Sequence, residues 1–567
     1  VHRSLSLLLL LAAVGLAGCG PAEQRAATAG TAAVVDDDSK PQDGGTILRR
    51  LPGDVSTMNP ILSSNYYEHY VFIYLSQPLL NFDASLQVAP GLAEKWEVSP
   101  DGKLYTFHLN PRATFDDHTP VLASDVIFSL KKITDPAVEA AQLSAHFDRV
   151  DWAATKAIDP RTVVIGFKEA YAPQLSFFND LLVVPEHVYS QGDFRNDFAF
   201  RTVGNGPYRL VRRVAGKEIL LERREDYWGP KPHAKNVLFK VIVDDSTAWN
   251  AVKRGDIDET SVGADIWQNE RNRPELQKTL DFRRFYTLNY NYIPWNLHDP
   301  ILQEKRLRHA LAMCVDLRGI IDSLYHGTAR AVIGHFTPDM WAYNPEVQPI
   351  EYNPTEARRI LNSLGWLDTN GDGILDKNGK PLKLEMLVAG GAVSSAPFAQ
   401  LYQSDLKKIG VDLAITPLDP TAFIQRVLAG NYQAAYLSWN LDPDPDPFQI
   451  LHSSQFPPGQ NFVFYKSAEA DKLMEEGRAT FDRKKRTEIY RRLQAVLADD
   501  QPYCWTVQVS TKWAINKRIH GVKESSGWGL FLWSPGELDW WIPARYQRHG
   551  NADAPAATPA AAPAQAH

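Results

Sequence analysis

Ser129 and Lys132 stand at the SxxK spacing of serine acyl-transfer enzymes, where the lysine activates the hydroxyl, but no KTG or SDN element follows in the right order. A helix face with an exposed lysine accounts for the pair. Asp368, Asn370, Asp372 and Asp376 set oxygen donors at alternate places around a glycine-punctuated turn, as a calcium loop does. The twelfth place is Gly379 rather than a bidentate glutamate. An Asx/Gly hairpin turn is therefore the preferred reading, and the segment is only a weak calcium candidate. No GxSxG elbow, HExxH helix, GxxxxGK[ST] loop or GxGxxG turn occurs, and the histidines form no ligand-spaced pair on a helix. Cys19, Cys314 and Cys504 include no CxxC pair and can build neither a four-thiolate zinc site nor a disulfide framework. Neither a cofactor nor an enzyme is expected. An exported hydrolase, the alternative from another class, would need a nucleophile, a base and an oxyanion site that these motifs do not supply.

The elements that could position a site are those of a folded, exported chain. Its 567 residues suffice for about three or four domains. With 44% hydrophobic and 22% charged residues it is too polar for a polytopic membrane protein. A net charge of −7 gives no positive field to attract nucleic acid. The 15 Trp, 22 Tyr and 24 Phe bring large apolar area with polar handles, which suits binding surfaces and cores alike.

Clustered β-branched and aromatic residues predict strands at 161–167 and 237–243. Leu307, Leu311, Cys314, Leu317 and Ile321 recur as one helix face, which makes Cys314 a packed thiol. Pairing of Cys314 with Cys504 is the alternative in an oxidising compartment. Asn353 as cap, Pro354 in the first turn and Gly365 at the end predict a helix over 353–364, followed by a turn and the strand LKLEMLV. The basic run Arg483 to Arg486 reads as a solvated helix face. Helices and strands interleave throughout, which favours α/β lobes.

At the N-terminus, Arg3, the apolar run from Leu5 to Val14 and the small residues before Cys19 read as a signal peptide, 1–18. Leu16, Ala17, Gly18 and Cys19 look like a bacterial lipobox, with Cys19 the lipidated residue; a plain cleaved signal is the alternative. This places the protein in the cell envelope, periplasmic or extracytoplasmic, anchored to the membrane by lipid. Residues 19–43 and 549–567 are too poor in apolar bulk to fold and read as a disordered tether and tail.

Six stretches in order resemble the family-5 solute-binding proteins of bacterial ABC importers, the dipeptide and oligopeptide receptors. They are GLAEKWEVSPDGKLYTFHLNPRATFDDHTPVLASDVIFSLKKITDP (91–136), VGNGPYRL (203–210), REDYWGPKP (224–232), RLRHALAMCVDLRGII (306–321), YNPTEARRILNSLGW (352–366) and LKKIGVDL (406–413). The resemblance implies an α/β, two-lobe periplasmic-binding-protein-like fold with an extra subdomain in lobe I. Lobe I would hold 44–286, with the inserted subdomain at about 77–200, and would resume at 506–548; lobe II would hold 287–505. It further implies a monomeric receptor that closes around a solute and hands it to an ABC permease in the membrane.

In peptide receptors of this group a Trp-x-x-Asp followed by an Asp-Pro element sets a carboxylate against the ligand's α-ammonium. Trp439 and Asp442 match that spacing, with Asp444 as second candidate. An ammonium drawn into a closed cleft needs an opposite charge to offset its desolvation. The alternative is a rigid turn whose aspartates cap backbone donors. Tyr66, Tyr67 and Asn205 are further ligand-binding candidates. Dipeptide receptors clamp the ligand carboxylate with an arginine after the strand matching LKLEMLV, but the loop at 389–400 has no basic residue. An oligopeptide held by main-chain hydrogen bonds fits better. A nickel chelate, haem, an oligosaccharide or an opine-like compound are the alternative solutes, and an envelope scaffold is a third class.

Overall fold

The computed structural model describes residues 38–63, 66–391 and 394–547. The expected signal peptide, Cys19, the expected tether as far as residue 37 and the expected tail at 549–567 lie outside the described residues. Strand Thr46–Leu51 runs parallel to Asn236–Val241, which pairs antiparallel with Glu218–Arg223 and through it with Tyr208–Val214. The helix Tyr66–Leu75 packs against this sheet, so that Val71 and Tyr74 share a core with Leu51, Val237 and Phe239.

Between these elements the chain inserts a second antiparallel sheet, ordered Ala93–Val98, Leu104–Leu109, Thr162–Phe167, Val150–Asp159. Helix Ala123–Thr134 adds Val126, Leu130 and Ile133 to a core that holds Phe107, Ile165 and Phe178. Asp125 fastens this helix by accepting from the backbone N–H of Leu122 (2.7 Å) and Glu186 (2.9 Å). Ser129 is wholly buried; its hydroxyl donates to the Asp125 carbonyl and accepts from the Val184 N–H. The SxxK serine is thus a structural fastener.

The other lobe combines a parallel set, Asp412–Leu418, Lys383–Ala389 and Ala434–Ala435, with an antiparallel set, Leu437–Asn440, Asn289–Pro294 and Tyr503–Trp505. The predicted helix after Asn353 spans Pro354–Ser363, with the Asn353 side chain accepting from the Glu356 N–H and Gly365 at φ +85°. The single helix expected over 307–321 is two, Lys305–Ala312 and Leu317–Ser323. Asp316 causes the break, since its carboxylate accepts from the Gly319 N–H and starts a second helix. Cys314 falls in the turn, buried, and Cys314 and Cys504 are both free thiols.

Two further expectations change. In the basic run, Arg483, Lys484 and Lys485 are exposed but Arg486 is 3% exposed and ion-paired. Helical periodicity turns that one position inward while its neighbours face water. The oxygens of 368–376 are spent within the loop: Asp368 accepts from Gly371 and Gly373, Asn370 and Asp372 from the backbone two residues on, and Asp376 from Thr369. Among the described residues no cluster of acidic, histidine and cysteine side chains is arranged to hold a metal.

The lobes meet where strands change partners. Leu280–Phe285 pairs with Thr511–Asn516 on the first side, whereas Asn289–Pro294 pairs with Leu437–Asn440 on the second. Val507–Val509 pairs with Ala329–Ala331, so the return crossing falls at Ser510, beside the outward crossing at 286–288. Both crossings therefore leave one three-stranded sheet as neighbours.

Candidate functional site

A cavity of about 690 Å³ is lined from both lobes and lies within the size range of small-molecule sites. Tyr67, Tyr70, Trp513 and Phe531 supply apolar wall from the first lobe, and Asn440, Leu441 and Asp442 come from the second. Phe285, Thr287 and Leu288, at the outward crossing, form part of the lining.

Strand geometry decides which side chain of the Trp-x-x-Asp element meets the cavity. Successive residues in Leu437–Asn440 face opposite sides. Asn440 lines the cleft, whereas Trp439 packs inward, its indole parallel to Tyr292 and to Phe462 with centroids 6.2 Å away in each case. Trp439 thus supports the floor, and the carboxylate three residues on enters the space.

The loop after it carries three aspartates alternating with Pro443, Pro445 and Pro447, and the three have different surroundings. Asp442 lines the cavity. Asp444 is held by Arg486 through two bonds, Nη1 to Oδ2 at 2.5 Å and Nη2 to Oδ1 at 2.6 Å. Asp446 accepts from the Tyr171 hydroxyl at 2.9 Å and stands 3.1 Å from Arg478 Nε. Proline fixes φ and removes an amide, so the loop holds these directions with few local alternatives.

Asp442 is exposed to cleft water, but within a cavity walled by both lobes. Desolvation by those walls, followed by the nearby carboxylates Asp180 and Asp444, pushes its pKa up to about 6, with His146 opposing. Asp180, on the inserted subdomain, also lines the cleft, with its Oδ2 3.0 Å from His146 Nδ1. Burial alone would lower the His146 pKa, but Asp180 more than offsets it and the value rises.

The two arginines of the wall are committed. Arg50 donates to the carbonyls of Ile242 and Val243, to Thr260 and to Asp245. Arg49, 1% exposed, bonds Glu259 and Tyr74 and lies 4.5 Å from the Phe531 ring centroid. Glu537, 3.4 Å from the same guanidinium, is pushed up to about 7 by burial against the pull of Arg49. These contacts keep the cationic heads of both arginines turned into the protein.

Of the other sequence candidates, Tyr67 lines the cleft with its ring against Gly53, and Tyr66 opens the helix Tyr66–Leu75. Asn205 is elsewhere. It is fully buried, accepts from the Gln77 N–H at 2.6 Å and donates to the Val183 carbonyl. Gly204 and Gly206 flank it because a Cβ there would come within 2.0 Å and 2.4 Å of the Leu75 backbone. This turn joins the subdomain to the sheet. Sequence reasoning missed Asp180, His146 and the wall built by Trp513, Trp528 and Trp533; the tryptophan-rich stretch at 525–535 was the available signal.

The profile of the bacterial extracellular solute-binding proteins, family 5 (middle), matches residues 87–462. The oligopeptide-binding protein AppA of Bacillus subtilis is 28% identical over 92% of this chain and 95% of its own. The nickel-binding periplasmic protein of Escherichia coli is 28% identical over 81% of this chain and 88% of its own. The solved structure of Bacillus subtilis AppA in complex with a nonapeptide aligns with a TM-score of 0.73 at 26% identity, covering 89% of this chain and 100% of that one. Among the described residues no helix is long and apolar enough to cross a membrane. Since the profile runs unbroken from the inserted subdomain across the outward crossing and into the second lobe, the chain belongs to the bacterial extracellular solute-binding proteins of family 5.

Proposed function

We propose that the chain captures oligopeptides between lobes 44–286 plus 506–548 and 287–505, and delivers them unaltered to an ABC permease. It works as a monomer in the cell envelope, anchored by a lipid at Cys19. The observation that carries the peptide reading is Asp442, a carboxylate set in the cleft wall beside an edge strand. Leu437–Asn440 is the outer strand of its sheet, so an extended peptide can add along it while its α-ammonium meets Asp442. Asp444 holds the loop from behind through Arg486 and has no part in contacting the guest. With Arg49 and Arg50 committed and no basic residue at 389–400, the far end of the peptide is unclamped, which favours tolerance of length. The Bacillus subtilis relative bound to a nonapeptide supports this reading.

Calorimetry with peptides bearing free or acetylated amino termini tests it. Asp442→Asn should weaken the free-amine form roughly thirtyfold, about 2 kcal/mol for a charge-assisted bond, and leave the acetylated form within about twofold. Equal losses would reject the assignment. A metal chelate is the second reading, favoured by the nickel-binding relative. Native mass spectrometry of freshly purified protein separates the two by the mass of the co-purified guest.

A further inference from the structure

We propose that Tyr171, Asp446 and Arg478 form a latch between the lobes, which sets how far the closed state is populated before any guest arrives. Tyr171 belongs to the inserted subdomain and the other two to the second lobe. None of the three lines the cavity. The Tyr171 hydroxyl donates to Asp446 Oδ2 at 2.9 Å, and Arg478 Nε lies 3.1 Å from that same oxygen. The Ala172 N–H donates across the junction to the Arg478 carbonyl at 2.8 Å. Two guanidinium groups, Arg149 and Arg478, lie 4.0 and 4.7 Å from the Tyr171 ring centroid, and Arg478 also lies 3.8 Å from that of Phe448. Beside them the Phe481 ring occupies the space a side chain at Gly102 would need, 2.4 Å from its Cβ position.

This junction stands apart from the crossings at 286–288 and Ser510, so it can part only when the lobes do. It is also tied to the guest site. Asp446 is four residues from Asp442 in a loop stiffened by three prolines and anchored midway by Arg486. Closing the latch therefore places the Asp442 carboxylate opposite Asp180 in the same movement. A receptor whose closed state is only partly populated binds more weakly by that fraction, whatever the guest's chemistry. Tyr171 is accordingly a positioning residue: it acts on the equilibrium and touches no ligand.

Hydrogen exchange of the ligand-free full-length protein reads the latch without knowledge of the guest. The Ala172 amide should be protected in the wild type and exchange roughly tenfold faster in Tyr171→Phe, while the Phe107 amide inside the subdomain sheet keeps its rate. Phe481→Ala, a half-exposed position, should speed Ala172 in the same way and decides the matter if the tyrosine variant fails to fold. An Ala172 amide that exchanges freely in the wild type, or at an unchanged rate in the variants, overturns the proposal. The second arm alone rests on the peptide reading. A nonapeptide with a free and with an acetylated amino terminus should each lose affinity for Tyr171→Phe by the same factor, about five- to tenfold. A loss confined to one form would make Tyr171 a ligand contact and overturn the latch.

Discussion

Two loops of this protein place acidic or amide oxygens at alternate positions, and they do opposite things. In 368–376 glycines follow the side chains, every amide is available, and the oxygens turn back on their own backbone. In 442–447 each aspartate is followed by proline, and two of the carboxylates look elsewhere, Asp442 to the cleft and Asp444 to Arg486, while Asp446 divides its oxygens between the Phe448 N–H two residues on and the distant Tyr171 hydroxyl. Glycine between the acidic residues lets the chain curl back under its own side chains, whereas proline stiffens it and leaves oxygens free for distant partners.

The sharpest way to break that contrast is to remove a distant partner. Arg486→Ala leaves Asp444 as a buried carboxylate without its cation and should cost about 3–5 kcal/mol of stability in chemical denaturation. An intact midpoint would mean that the loop stands by its prolines alone. Next in size is the pH response of guest binding. Because the free Asp442 carboxyl sits at about 6, affinity for a cationic guest should fall as pH drops below that value, levelling off near the roughly thirtyfold loss of Asp442→Asn, and the dependence should vanish in that variant. A calorimetric titration between pH 4 and pH 8 reads both arms.

The same group contributes to stability with the opposite sense from an ion-paired aspartate. Its pKa in the folded protein lies above the ordinary 3.8, so the folded form binds more protons between those values. Its contribution is therefore most favourable below the lower value and is lost as pH rises through about 6. Asp442→Asn should consequently melt no lower than the wild type at pH 7. The smallest effect belongs to the other loop: Asp368→Ala, or added calcium, should move the melting temperature by less than about 2 °C. A large calcium-induced rise would show that the loop opens its oxygens to an ion.

Local chemistry made part of this legible in the sequence. The cap, proline and glycine around 353–365 specify that helix without help from the rest of the chain. The spacing from Trp439 to Asp442 located a wall of the cleft, although the indole turned out to face the core; the alternation of a short strand, applied at that point, separates the two. Other features depend on elements far apart in the chain. Asp316 breaks the helix expected around Cys314 through one side-chain bond that the apolar periodicity conceals. Arg486 looked like one of four solvated cations, and its burial depends on a carboxylate 42 positions earlier. Asp180 reaches the cleft, with His146 behind it, because the inserted subdomain packs where it does, which no local pattern encodes.

The paired crossing strands also govern how the mouth of the molecule can swing. Strands that share a ladder bend easily across their pleat and resist sliding past each other, so Leu280–Phe285 and Thr511–Asn516 act as a single ribbon with one easy direction. Opening then follows one arc, like a door on a strip hinge, and the widest gap appears at the rim farthest from Thr287.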